Sequence, residues 1–271
     1  MKIVDRGGGT PIVVVPGIQG RWEWMKPAID ALAQRSHVIT FSLADEPTCG
    51  AAFNEHTGFW SYVDQIRDAA DQAGLTRAAI CGVSYGGLIA AAYAARYPDR
   101  VASLVLVSPI PPSWKPDGRV RLYLRAPRLL CPLFMVASLR MYREVAAANS
   151  TVAAGLRAAA RHGWRVVTHM FSPSRMARRV HLLHGVGLES LLPPVRVPTL
   201  VLTGDPSLDR VVPVPASYEY ARMWPHARVA TIERTGHLGL ITRPDEFARL
   251  VVPFAEDAAR TSDAGSRRRI G

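Results

Sequence analysis

Ala78-Ala79-Ile80-Cys81-Gly82-Val83-Ser84-Tyr85-Gly86-Gly87-Leu88 is the stretch on which the reading of this chain turns. Small and apolar residues run straight into Gly82-Val83-Ser84-Tyr85-Gly86, and a helical pattern begins near Leu88. A serine between a buried strand and a helix, with glycine two positions to either side, has the G-x-S-x-G form of a nucleophile elbow. Such a turn forces strained dihedrals on the serine, and only small residues at 82 and 86 let the backbone fold so tightly. Ser84 is thereby presented above the strand end, at the positive end of a helix.

Outward from this stretch, apolar and often β-branched runs recur. Ile12-Val13-Val14-Val15, Val38-Ile39-Thr40-Phe41, Val101 to Val107, Leu200-Val201-Leu202 and Val229-Ala230-Thr231-Ile232 read as strands. Their near-continuous hydrophobicity, without polar alternation, is what a parallel sheet covered on both faces requires. Trp24 to Gln34, Phe59 to Ala73, Gly87 to Arg96, Ala216 to Met223 and Asp245 to Ala255 carry helical periodicity between them. Strand and helix alternate, so the expected class is α/β, a mostly parallel doubly wound sheet with right-handed crossovers.

The alternation stops after Val107. From Pro109 to Pro198 the chain is rich in Pro, Arg and Ala, with helical segments at Leu133 to Ala148 and Val152 to Arg161 and no strand. The expected organisation is therefore a core made of residues 1–110 and 198–258, a helical lid over 111–197, and a disordered basic tail over 259–271. The run Leu129 to Ala137 is too short to cross a bilayer and reads as a buried lid helix, with pocket lining or a membrane-surface face as its alternatives.

Charge is concentrated in the same segment. Residues 111–197 hold 14 Arg and Lys against 3 Asp and Glu, while the rest of the 271-residue chain holds 19 of each, so the insertion carries the whole net charge of +11. Either a compositional bias places arginines on a solvated surface, or the face attracts anions. No nucleic-acid partner is expected, because no binding motif accompanies the charge. Cys49, Cys81 and Cys131 are an odd number with no CxxC pair, which suits reduced thiols and no metal. No apolar run approaches the ~20 residues of a transmembrane helix, and the first residues have no apolar signal core, so a cytoplasmic location is expected.

A serine hydroxyl needs a base, and the base an orienting acid. Among eight histidines His237 is the best placed, in Thr235-Gly236-His237-Leu238-Gly239 just beyond the last strand, where ligand-facing loops gather in such sheets. His162, His169, His181 and His184 lie in the lid, and the last two read as a solvated helical face. The acid should follow the strand Thr199 to Thr203, which offers Asp205 and Asp209. Asp205, between Gly204 and Pro206, sits in a turn context, whereas Asp209 at the loop apex is the better placed to reach an imidazole and is preferred. Oxyanion donors are expected from the backbone N–H of Tyr85 and from Pro16-Gly17-Ile18-Gln19-Gly20, with Ile18 as the second donor.

Together Val13 to Gly20, Gly82 to Gly87, Gly204 to Pro213 and Thr235 to Gly239 resemble the α/β-hydrolase fold superfamily, specifically its lidded, esterase-like serine hydrolases, over about residues 2 to 256. The order nucleophile, acid, histidine is that of the family. Two departures stand out. Pro16-Gly17 replaces the His-Gly common in the family and removes a side chain that often braces the oxyanion loop. Asp209 also lies further beyond Gly204 than the family pattern has it, which implies an insertion in that loop. An N-terminal hairpin is shortened, since Val4 is already near the first core strand.

The resemblance implies a serine hydrolase, without cofactor or metal, that cleaves a carboxylic ester or thioester through an acyl-enzyme on Ser84. The alternatives are carbon–carbon bond hydrolysis by the same residues and a receptor-like binding module. Gly17, Gln19, Trp22, Phe134, Met135 and Leu238 are candidate pocket residues, alongside Trp24, Trp164 and Met170. The expected partner is a small-molecule acyl ester or thioester, or an acidic acyl carrier if the basic lid attracts anions.

Overall fold

The computed structural model describes residues 1–267. The sheet has seven strands, β1 (Ile3–Arg6), β2 (Thr10–Val15), β3 (Ser36–Phe41), β4 (Ala78–Val83), β5 (Val101–Val107), β6 (Thr199–Thr203) and β7 (Arg228–Thr231), in spatial order β1-β3-β2-β4-β5-β6-β7. All neighbours pair in parallel except β1, which runs antiparallel to β3. This is the expected α/β class with one addition, the edge strand β1. That strand was not legible because Asp5 and Arg6 interrupt a four-residue run exposed at the sheet margin.

The continuous apolar runs follow from burial on both faces. Val13, Val15, Ile39, Ile80, Leu104 and Val201 point to one side and Ile12, Val14, Val38, Ala79, Val105 and Leu202 to the other. α1 (Lys26–Leu32) covers the second side, and α2 (Trp60–Gln72) and α3 (Tyr85–Arg96) cover the first.

Between β5 and β6 the described chain is helical: α4 (Gly118–Arg125), α5 (Cys131–Ser138), α6 (Tyr142–Ala148), α7 (Val152–Thr168), α8 (Pro173–His181) and α9 (Leu188–Leu191). The expected buried helix is not found there. α5 buries none of its residues, and Leu129 is 79% exposed. Phe134 is the side chain that α5 turns inward, against the rings of Tyr123 and Phe171. The insertion has no second layer to cover its outer side, so Leu129, Leu133, Met135 and Val136 face solvent.

After β6 come α10 (Val214–Ser217) and α11 (Glu219–Met223), where the sequence predicts one helix, and after β7 come α12 (Gly239–Thr242) and α13 (Pro244–Arg267). α13 packs on the α1 side of the sheet. Its backbone continues past residue 258 through Arg267, into the stretch expected as a disordered tail from 259; residues 268–271 of that tail lie outside the described residues. The run Glu256-Asp257-Ala258-Ala259-Arg260 is made of adequate helix formers, and Arg260 pairs with Asp257 one turn back. No described helix is long and apolar enough to cross a membrane.

Candidate active site

Parallel register sets one edge of the sheet as the meeting place. Val15 lies beside Gly82, Val83 beside Val107, Val107 beside Leu202, and Thr203 beside Thr231, so the loops after β2, β4, β6 and β7 all leave from the same carboxyl edge.

Ser84 leaves β4 with φ 53° and ψ −114°, outside the region that L residues favour. The strain is held by its surroundings. Ser84 N–H donates to Val107 O at 2.8 Å, and Ser84 O accepts from Gly87 N at 2.9 Å. Ser84 is 6% exposed, and its Oγ has no hydrogen-bond partner among the described residues. The Gly17 loop lies directly against it: a Cβ built on Gly17 would stand 3.6 Å from Ser84 Cβ and 3.2 Å from Gln19 Oε1. Tyr85 opens α3, so its N–H has no acceptor within the helix. The structure therefore brings together Ser84, Gly17, Gln19, Ile18 and Tyr85.

The other half of the site joins Asp209 to His237. His237 Nδ1 lies 3.4 Å from Asp209 Oδ2, at the long end for a hydrogen bond, with the carboxylate side chain 1% and the imidazole 10% exposed. Asp209 Oδ1 accepts from Val211 N at 2.9 Å and Val212 N at 3.0 Å, which fixes its orientation. Burial opposes charge on Asp209, but the His237 ring and these two amides outweigh it and hold the carboxyl below its usual range. Asp205 behaves differently. It is largely solvated, its side chain accepts from Ser207 N at 2.7 Å, and its own N–H bonds Thr235 O at 2.7 Å, which splices the acid loop to the histidine loop.

Two groups that sequence reasoning missed reach this edge from the insertion. Glu144 of α6 is 1% exposed, and its Oε1 accepts the N–H of Leu238, next to His237. Burial pushes the Glu144 carboxyl up to about 7, against the pull of the Leu238 and Gly236 amides and His237. Arg179 of α8 is fully buried among Asp45, Glu46 and the carbonyl of Ile18. The one signal for Glu144 in the sequence is its rarity, as one of three acidic residues in a basic segment; Arg179 has none among 30 arginines.

The candidate pocket is gathered only in part. Trp22 opens the turn into α1, lies under the Arg6 guanidinium, and packs against the α1–α13 side of the sheet. Phe134 faces Tyr123 and Phe171, Met135 is 40% exposed, and Trp164 and Met170 are exposed. Trp24 donates to His169 O and packs edge-on to His162 and Phe171. Two surface concavities, of about 330 Å³ beside α2 and about 180 Å³ between α1 and α13, are lined by other residues. Among the described residues no group of three or more His, Cys, Asp or Glu is placed to hold a metal ion.

Chemically, a buried carboxylate fixes one nitrogen of an imidazole, and on the same sheet edge stand a serine hydroxyl and the amides of Ile18 and Tyr85, which have no partner among the described residues. That set can accept a proton, attack an electrophile and stabilise an oxyanion.

Comparison with known proteins gives the same architecture. The sequence model of the alpha/beta hydrolase family matches residues 12–250. A protein of Azorhizobium caulinodans assigned as carbamate hydrolase RutD is 28% identical over 253 residues, covering 92% of each chain. A poly(3-hydroxyalkanoate) depolymerase of Ectopseudomonas oleovorans is 27% identical over 258 residues, covering 91% of this chain and 84% of its own. The esterase EaEST from Exiguobacterium antarcticum superposes with a TM-score of 0.78 at 17% identity, covering 94% of each chain.

Proposed function

This chain belongs to the alpha/beta hydrolase family, and from that premise we propose that it is a serine hydrolase cleaving a carboxylic ester or thioester through an acyl-enzyme on Ser84. The observation that carries the reading is the His237–Asp209 pair at 3.4 Å, set on the sheet edge from which Ser84 also projects. A similarity to a poly(3-hydroxyalkanoate) depolymerase, whose polymer is joined by ester links, supports the bond class.

In this reading His237 Nε2 takes the proton of Ser84 Oγ as the oxygen attacks the acyl carbon. Asp209 holds the Nδ1–H tautomer and stabilises the imidazolium, and the N–H groups of Ile18 and Tyr85 face the oxyanion. Collapse expels the alcohol or thiol, which leaves with the proton from His237. Water then attacks the acyl-enzyme, His237 takes its proton and returns it to Ser84 Oγ, and the acid is released. The helical insertion acts as the lid, and its positive charge favours an acyl group or acyl carrier that is itself anionic.

The test is labelling with a fluorophosphonate, followed by turnover of p-nitrophenyl esters of graded acyl length beside an acyl-CoA and a β-diketone. Wild type should be labelled and hydrolyse an ester or thioester, and Ser84→Ala should lose both, with kcat down by about 10⁴–10⁶. Equal labelling of Ser84→Ala, or turnover confined to the β-diketone, would overturn the reading.

A further inference from the structure

The loop against Ser84 has Pro16 before Gly17, and a proline side chain offers no hydrogen bond to brace it. Something else must hold it. Residue 18 lies between two peptide planes, and each of those planes is tied. The plane before it is fixed by Gly20 N–H donating to Gly17 O at 2.9 Å. The plane after it is fixed by Arg179 Nη1, which donates to Ile18 O at 2.6 Å. With both planes held, the direction of the Ile18 N–H is set.

Arg179 is built for that task rather than placed by chance. Its side chain is fully buried in the insertion helix α8. Its Nε and Nη2 donate to Asp45 Oδ1 at 3.1 and 2.6 Å, and Nη2 also donates to Glu46 Oε1 at 2.7 Å. Glu46 is braced in turn by Arg175, at 3.0 Å. The planar guanidinium therefore has two carboxylates on one side and a single backbone carbonyl on the other, and its fork cannot turn without leaving a charge unpaired. Room for it exists because residue 20 has no side chain: a Cβ at Gly20 would lie 2.3 Å from Nη2 and 2.4 Å from Nη1. The second expected donor is tied to the same residue, because the buried phenol of Tyr85 donates to the backbone carbonyl of Arg179 at 3.0 Å.

We propose that Arg179 is a positioning residue which, reaching from the helical insertion into the core, holds Ile18 and Tyr85 in the mutual geometry that stabilises the oxyanion. It touches neither substrate nor Ser84 and acts through these two residues. The inference rests on the serine hydrolase reading above and assigns to the insertion a share in transition-state stabilisation, besides any role in covering the substrate.

The experiment compares wild type, Arg179→Lys, Asp45→Asn and Tyr85→Phe, each with its active sites titrated by a fluorophosphonate so that rates are per competent site. Losing one oxyanion donor lowers kcat by about 10²–10³, which sets the scale for a donor displaced by the loss of its brace. Arg179→Lys keeps the charge and loses the fork, and is expected to lower kcat about 10²-fold with KM within about threefold. Asp45→Asn and Tyr85→Phe should lower it less, by roughly 10-fold, because each removes one tether. Affinity for an aryl trifluoromethyl ketone, which forms a tetrahedral oxyanion on the serine, should fall in step with kcat/KM across the four proteins, while affinity for the product carboxylate stays level. A purely structural arginine would lower the titrated fraction and leave both per-site quantities unchanged, and that result overturns the proposal. If Arg179→Lys does not fold, Asp45→Asn and Tyr85→Phe decide by the same criterion. Absence of fluorophosphonate labelling in wild type would instead strike at the hydrolase reading itself.

Discussion

Glu144 Oε1 accepts the backbone N–H of Leu238, so a carboxyl from the helical insertion grips the residue that follows His237. Burial keeps this carboxyl protonated up to about pH 7, whereas in the unfolded chain it ionises near its ordinary value of 4.5. Between those values the folded state binds a proton that the unfolded state has released, so stability is full below pH 4.5 and declines as pH rises to 7. A shift of this size corresponds to about 3 kcal/mol. Glu144→Gln keeps an acceptor for Leu238 and removes the titration. Urea midpoints at pH 5 and pH 8 should therefore lie closer together in Glu144→Gln than in wild type, and an unchanged difference would show that Glu144 does not titrate there.

Asp209 and Asp205 should separate cleanly by substitution. Asp209→Asn is expected to lower kcat by about 10⁴ through loss of tautomer control over His237. Asp205→Asn should stay within a few-fold of wild type, because that side chain bonds Ser207, two residues on in its own loop, rather than His237. Since Asp209 is held below its usual range, its stabilising contribution is present above the ordinary carboxylate value and is lost as the pH falls through its lowered one. Acid unfolding of Asp209→Asn should be correspondingly shallower.

Ser84 at φ 53° gives a prediction in which stability and activity move apart. Glycine adopts that conformation without a Cβ penalty, so Ser84→Gly should be inactive yet more stable by about 1 kcal/mol. A calorimetric Tm raised by roughly 2–4 °C is the expected result. A lowered Tm would mean that the hydroxyl contributes more to folding than the strain costs.

Salt dependence tests the basic insertion. With a screening length of about 8–10 Å at moderate ionic strength, kcat/KM for an acyl-CoA should fall severalfold as salt is raised, and that for a neutral short ester should change little. Equal responses would reduce the charge of residues 111–197 to surface composition.

The core was legible because burial on two faces writes itself as unbroken apolar runs, and the elbow because a strand, a serine and two glycines occur in one short stretch. Loop position alone preferred Asp209 over Asp205, and in the structure Asp209 lies by His237 and Asp205 by Ser207. The insertion was the opaque part. Its helices, apart from α7, are short, and the run Leu129 to Ala137 looks buried by composition while its outer side meets only water. Arg179 and Glu144 could not be found there, because a buried ion or carboxyl is defined by partners 133 or 94 positions away, and a lone charge in a charged segment carries no mark of them.

The crowding between position 20 and the guanidinium of residue 179 constrains how this protein can change over evolutionary time. A side chain at 20 would push the guanidinium of Arg179 off its partners, so it is accommodated only where that arginine has shifted or been shortened. Released from that arginine, Asp45 would lose its guanidinium partner in the interior while Glu46 kept Arg175, so position 45 would have to change as well. Positions 20, 45 and 179 are therefore coupled, and they are the ones to exchange together when this insertion is grafted onto another scaffold.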